Sequence, residues 1–218
     1  SSAASDVYKR QVSIMSRYMF NPDPLIGSGE EPYATWHDGF TDCDISNIIQ
    51  LGENRNLDKA MIGGRDYDDN YTNIRISKTS WIELSNDTQW LYDKLAYIAR
   101  QLNAQFYKYN LFGFNEHFQY TVYDGSENGH YSWHMDSGVG KNMQGESPRK
   151  FTMVLQLTDP SEYEGGQLQL FTSTEPTDIP KEKGMVAVFP SYTLHRVTPV
   201  TSGIRRTLVV WVTGPAFK

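Results

Sequence analysis

Apolar positions recur along this chain with two different periods, and the change falls near Phe112. Before it, Ile45, Ile48, Ile49 and Leu51 follow Thr41-Asp42 at helical spacing and stop at Gly52, which predicts a short helix with Thr41 as N-cap candidate. Leu91, Leu95, Ile98 and Leu102 repeat the pattern behind Ser85-Asn86-Asp87. They predict the longest helix, about Asp87 to Phe106, with an apolar face suited to packing on a sheet. Asn21–Pro32, rich in proline and glycine, reads as an extended lead-in, and polar Arg65–Asn73 as a loop. Ile74–Leu84 reads as a strand or a broken strand pair. After Phe112 short β-rich runs alternate with turn residues: His117–Tyr123, His130–Met135, Lys150–Leu157, Gln167–Phe171, Met185–Phe189, Leu194–Val200 and Arg206–Val212. Strands at this spacing predict a sandwich or barrel rather than a parallel α/β sheet. Helices first and strands second predict an α+β fold, mainly β, with N-terminal helices supporting one sheet.

Composition adds bounds. The 218 residues, 39 % of them apolar, suffice for one domain with a sizeable core. Residues 1–11, SSAASDVYKRQ, have no period and resemble a translated sequencing adapter. They are expected to be a non-native or disordered terminus, leaving residues 12–218 as the domain and about 112–214 as its catalytic core. The adapter reading would place the gene in a viral or bacterial environmental sample. The single Cys43 cannot form an intramolecular disulfide. No run approaches the roughly 18 apolar residues of a membrane span, and no signal-peptide pattern is present. A cytoplasmic protein without a membrane partner is the expectation. A formal charge of −6 argues against a broad phosphate-binding surface, and so against a nucleic-acid partner. Nothing in the sequence specifies an oligomeric state.

The candidate chemistry begins at Trp133-His134-Met135-Asp136. Residues two apart on a strand face the same side, so His134 and Asp136 would present an imidazole and a carboxylate together. Alone the pair is weak, since an ordinary surface strand can carry the same two residues. His195, on a later β-rich run, supplies a second imidazole. Two histidines plus one carboxylate with open positions is the ligand set of non-haem Fe(II) oxygenases. Arg205 follows, and its guanidinium can hold a carboxylate through two parallel hydrogen bonds. Thr207, two residues on, can turn its hydroxyl the same way. A surface ion pair is the plainer reading of Arg205; its position after His195 favours the other.

His134-x-Asp136, His195, and Arg205 with Thr207 together resemble the signature of the 2-oxoglutarate/Fe(II) dioxygenase superfamily, and most closely its prolyl 4-hydroxylase-like branch. The resemblance covers about Phe118 to Trp211, including Tyr123-Asp124-Gly125, Glu164-Gly165-Gly166, Lys183-Gly184 and Phe189-Pro190. It implies a double-stranded β-helix (jelly roll), with Fe(II) held by His134, Asp136 and His195. It also implies Arg205 on the distal carboxylate of 2-oxoglutarate, Tyr123 hydrogen-bonded to that co-substrate, and Trp211 lining its pocket. O2 would be consumed, succinate and CO2 released, and a prolyl residue or related amino-acid side chain hydroxylated, with ascorbate stimulatory. The partner implied is a peptide or a small amino-acid-like substrate. Two departures stand out. The stretch from Tyr123 to His134 is about two residues longer than usual, within Ser126–Gly129, and Arg205 stands where many prolyl 4-hydroxylases have Lys.

On a regular strand His130 would share the face of His134, although a local hydrogen bond is its plainer role. Tyr131 and Trp133 would face the opposite side as core. Arg149 and Lys150 read as a solvated strand start. Gly165-Gly166 reads as a turn requirement, not a phosphate cradle. Arg65–Asn73 and Gly138–Pro148 are candidate lids. Two alternatives stay open: a non-catalytic jelly-roll module that binds metal or a carboxylate, and a nucleic-acid dealkylase. Trp211 weighs against the second, because dealkylases place another Arg six residues after the first.

Overall fold

The computed structural model describes residues 31–60, 73–137 and 148–216. The expected terminus at residues 1–11, the lead-in up to residue 30, and both candidate lids except their end residues Asn73 and Pro148 lie outside the described residues. Two helices come early, α1 (Asp42–Glu53) and α2 (Gln89–Leu102). Thr41 caps α1: its hydroxyl accepts from the Asp44 backbone N–H, and the Asp44 carboxylate accepts from the Thr41 N–H. The second helix starts later than Ser85-Asn86-Asp87 suggests. Those residues form a turn closed by Thr88, whose hydroxyl accepts from Ser85 N–H and donates to the Glu83 carbonyl. Leu91, Leu95, Ile98 and Leu102 are all buried, as their period requires. Beyond Leu102 the chain continues as a π-helical turn, Asn103–Tyr107, which ends at Lys108 with φ +55°.

Among the described residues, thirteen strands build two antiparallel sheets. In chain order they are β1 (Ala34–Trp36), β2 (Asp58–Lys59), β3 (Arg75–Ile76), β4 (Lys78–Ile82), β5 (Phe118–Asp124), β6 (His130–His134), β7 (Arg149–Gln156), β8 (Tyr163–Gly165), β9 (Leu168–Phe171), β10 (Thr177–Asp178), β11 (Val186–Pro190), β12 (Leu194–Val197) and β13 (Val200–Thr213). The major sheet runs β1-β11-β7-β13-β5-β4-β2, with β8 also on β13; the minor sheet runs β10-β9-β12-β6-β3. This is the expected mainly-β jelly roll supported by helices. Ile74–Leu84 is the broken pair, divided between the two sheets. Strand β13 is longer than Arg206–Val212, because its first residues pair with β8 rather than β7. Strand β1 has no counterpart in the sequence pattern: Ala-Thr-Trp is too short to carry a period.

Alternation on the major sheet separates two environments. Phe118 and Tyr120 on β5, Phe151 and Met153 on β7, and Leu208, Val210 and Val212 on β13 pack with Ile45, Ile48, Leu91, Leu95 and Ile98 of the helices. The alternate residues face the minor sheet. There Tyr123, Val154, Ala187, Phe189, Leu168 and Leu170 form a second apolar cluster. Beside it lies a buried polar ladder: Gln119, Thr121, Thr152, Gln156, Arg205 and Thr207. Burying so many polar groups on one inner face is unfavourable unless they are satisfied by each other or by a ligand.

Candidate active site

His134 closes β6 and His195 lies on β12, directly opposite each other in the minor sheet. Asp136 lies beyond the end of β6, not on it. Its carboxylate returns to the pair because its backbone N–H, with that of Ser137, donates to the Ser191 carbonyl at 2.9 and 2.8 Å. The Pro190-Ser191 turn between β11 and β12, rather than strand alternation, therefore brings Asp136 to the histidines. Ligand-type atoms of the three residues all lie within 4.8 Å of one another. His134 Nε2 is 3.8 Å and His195 Nε2 3.5 Å from the two Asp136 oxygens, and the imidazole centroids are 4.1 Å apart.

The outer contacts of this cluster fit a metal. Nδ1–H of His134 donates to the Ser132 carbonyl at 2.8 Å, and Nδ1–H of His195 to the Thr193 carbonyl at 2.9 Å. A carbonyl can only accept, so both Nε2 lone pairs are left to coordinate. Burial, then His195, pushes the His134 pKa down to about 3, which keeps its imidazole neutral near pH 7. Burial raises the Asp136 pKa, but His195, His134, Trp211 and Thr152 outweigh it and hold the carboxyl below its ordinary value. The Thr152 hydroxyl donates to Asp136 Oδ2 at 2.7 Å. The buried Trp211 indole N–H faces the same carboxylate too loosely to form a hydrogen bond.

Arg205, Thr207 and Trp211 share the inner face of β13, and Tyr123 stands opposite Arg205 on β5. Arg205 is only 1 % exposed, and among the described residues no carboxylate pairs with it. One terminal nitrogen donates to Gln156 Oε1 at 3.2 Å, its Nε has no partner, and its guanidinium lies 5.4 Å from the Tyr123 ring centre. Thr207 is buried between Gln156 and Thr121. The extra length between Tyr123 and His134 is taken up by the turn Gly125–Glu127 and by Asn128 at φ +53°, outside both strands.

Of His130, Tyr131 and Trp133, it is Tyr131 that turns to the unexpected face. Between the His195–His134 and Val197–Tyr131 pairs, β6 spends one residue more than β12, a bulge. His195 and Val197 share a face, so their partners do too, and Tyr131 joins His134 there. Its ring stacks on the imidazole at 3.5 Å between centroids. His130 makes a local bond to the Asn128 carbonyl. Trp133 is half-buried against Phe171 and Arg196.

Other residues escape a reading of the sequence because their roles come from cross-strand placement. Arg149 is no solvated strand start: it clasps Glu116, donates to the Asp136 carbonyl and lies 3.7 Å over Trp211. Lys150 is buried. Buried Arg75 on β3 donates to Ser77 and Gln119 and lies 4.5 Å over the Tyr131 ring, extending the His134 stack.

Residues 118–213 match the sequence profile of the 2OG-Fe(II) oxygenase superfamily. Over 84 residues the chain is 40 % identical to a PKHD-type hydroxylase of Synechococcus sp. (strain CC9311), covering 38 % of this chain and 36 % of the relative. It is 39 % identical over 87 residues to one from Prochlorococcus marinus, covering 40 % and 38 %. The match thus spans little more than a third of these relatives' length. A Pseudomonas putida prolyl-4-hydroxylase superposes with TM-score 0.65 at 18 % identity, covering 85 % of this chain and 94 % of the other. A viral collagen prolyl hydroxylase from Paramecium Bursaria Chlorella virus-1 gives 0.63 at 20 %, covering 84 % and 97 %. These likenesses carry the fold. No helix among the described residues is long and apolar enough to cross a membrane.

Proposed function

We propose, from the match of residues 118–213 to the 2OG-Fe(II) oxygenase superfamily, that this chain is a dioxygenase of its prolyl 4-hydroxylase-like branch. It would hydroxylate a prolyl residue, or a related amino-acid side chain, of a peptide or a small amino-acid-like substrate. The overall change converts a substrate C–H, O2 and 2-oxoglutarate into C–OH, succinate and CO2. One observation carries this reading: the Asp136 carboxylate of a two-histidine, one-carboxylate cluster lies against Thr152 and Trp211 of the major sheet, and Trp211 shares the inner face of β13 with a buried guanidinium that lacks an acid partner among the described residues.

His134, Asp136 and His195 would hold Fe(II), which when bound supplies the O2-dependent oxidation. The chain's own residues do the rest. The Ser132 and Thr193 carbonyls fix the two imidazoles, and Thr152 fixes the carboxylate. Arg205 binds the distal carboxylate of 2-oxoglutarate, with Thr207 beside it. Tyr123 closes one side of the co-substrate, Trp211 packs by Asp136, and the cluster around Phe189 and Leu170 excludes water. Ascorbate is expected to sustain turnover.

The test is succinate release with Fe(II), O2 and 2-oxoglutarate across proline-rich peptides and free amino acids, with a mass gain of one oxygen in the substrate. A charge-assisted hydrogen bond contributes about 1.5–3 kcal/mol. Arg205→Ala is therefore expected to raise the KM for 2-oxoglutarate at least about tenfold, and an unchanged KM would reassign the anchor.

A further inference from the structure

Among the described residues, three buried side-chain polar atoms have no partner: Trp211 Nε1, Arg205 Nε and the phenolic oxygen of Tyr163. The first two belong to residues already placed at the site, and the third does not. Tyr163 is 5 % exposed and belongs to the inner apolar cluster. It starts β8, opposite Gly203 on β13 and two residues from Arg205. Gly166 shows how closely the two side chains meet: a Cβ added there would lie 2.9 Å from Arg205 Cδ and 3.2 Å from a Tyr163 ring carbon. Lys181 completes the corner. Its ammonium lies 4.9 Å over the Tyr163 ring and donates to the Gly165 carbonyl. Burial, then Arg205, lowers the Lys181 pKa, so two cations share this end of the cavity.

A buried hydroxyl without a partner is costly, and so is an unfilled guanidinium N–H. Both costs vanish if one anion accepts from both groups. We propose that the Tyr163 hydroxyl is a second donor to the distal carboxylate of 2-oxoglutarate, sharing it with Arg205. This inference rests on the proposed co-substrate pocket. It makes Tyr163 a specificity residue, one that selects keto acids carrying a carboxylate at the far end.

The test measures dissociation constants by calorimetry on the full chain loaded with Mn(II). The probes are 2-oxoglutarate and 2-oxobutyrate, which lacks the distal carboxylate. Tyr163→Phe removes only the hydroxyl and is expected to weaken 2-oxoglutarate binding by about 10-fold to 100-fold. It should leave 2-oxobutyrate binding unchanged. The ligand-free Tyr163→Phe protein should melt no lower than the unsubstituted one, since an unsatisfied group has been removed. A purely structural tyrosine would instead lower the melting temperature, or weaken both keto acids alike, and either result overturns the assignment. Arg205→Ala separates the two levels. If it weakens 2-oxoglutarate while Tyr163→Phe does not, only the role of Tyr163 falls. If neither variant changes the constant, the co-substrate pocket itself has been misplaced.

Discussion

Ligand chemistry is the most legible feature at the scale of single residues. Few side chains coordinate Fe(II), so His134, Asp136 and His195 stand out on residue type and spacing, and Arg205 on its place after them. Thr152, Tyr131 and Tyr163 do not, because nothing local distinguishes a threonine or tyrosine that happens to stand opposite a functional group. Their roles follow from register, which a single strand does not encode. Two predictions belong here. The His134 pKa is pushed from 6.5 to about 3, so the unfolded chain binds the extra proton first. Stability of the metal-free protein is therefore full above about pH 6.5 and falls as pH drops toward 3. The depressed Asp136 pKa acts in the same direction at lower pH. Urea unfolding at a series of pH values measures the slope, and a flat profile between pH 6.5 and 4 contradicts it. Removing the bond that orients a ligating carboxylate usually costs about 10–100-fold in metal affinity. Thr152→Val should show that loss in competition with a chelating dye.

Element boundaries record where local signals and packing disagree. The apolar period locates α2, but Ser85-Asn86-Asp87 misplaces its start: the capping-type residues close a turn around Thr88 instead. Residue type and spacing locate the His134 cluster, but strand alternation misassigns Tyr131, because the bulge in β6 is visible only against β12. Helix α1 supplies a test in which propensity and packing have opposite signs. Alanine normally favours a helix over glycine by about 1 kcal/mol. At Gly52, however, an added Cβ would lie 2.3 Å from the Tyr120 ring of β5. Gly52→Ala is expected to destabilise the fold by about 1–3 kcal/mol through overpacking, read as a lowered denaturant midpoint. A stabilised variant would mean that the helix can move off the sheet at little cost.

For the whole molecule, the two faces of the major sheet divide the work. The helix-side face is apolar and is readable from composition and period. The inner face mixes apolar and polar residues, and its pattern makes sense only once the minor sheet closes over it. Folding and metal binding are then linked by mass action. Mn(II) at about 100 times its dissociation constant should add about 2.7 kcal/mol of stability, a shift of several degrees in thermal unfolding. Asp136→Ala should abolish that shift, and an equal shift in both proteins would place the metal elsewhere. Strand β13 also constrains how the gene can change. Arg205, Thr207 and Trp211 alternate there with Leu208, Val210 and Val212 of the helix-side core. Loss of one codon inside this strand would reverse every side chain on one flank of the deletion, turning functional groups there toward the helices and core residues toward the metal side, so core and chemistry fail together. Extra codons between Gly125 and Gly129 only lengthen a turn. Drift in gene length is thereby channelled into the loops, while the strand that carries the chemistry keeps a fixed count.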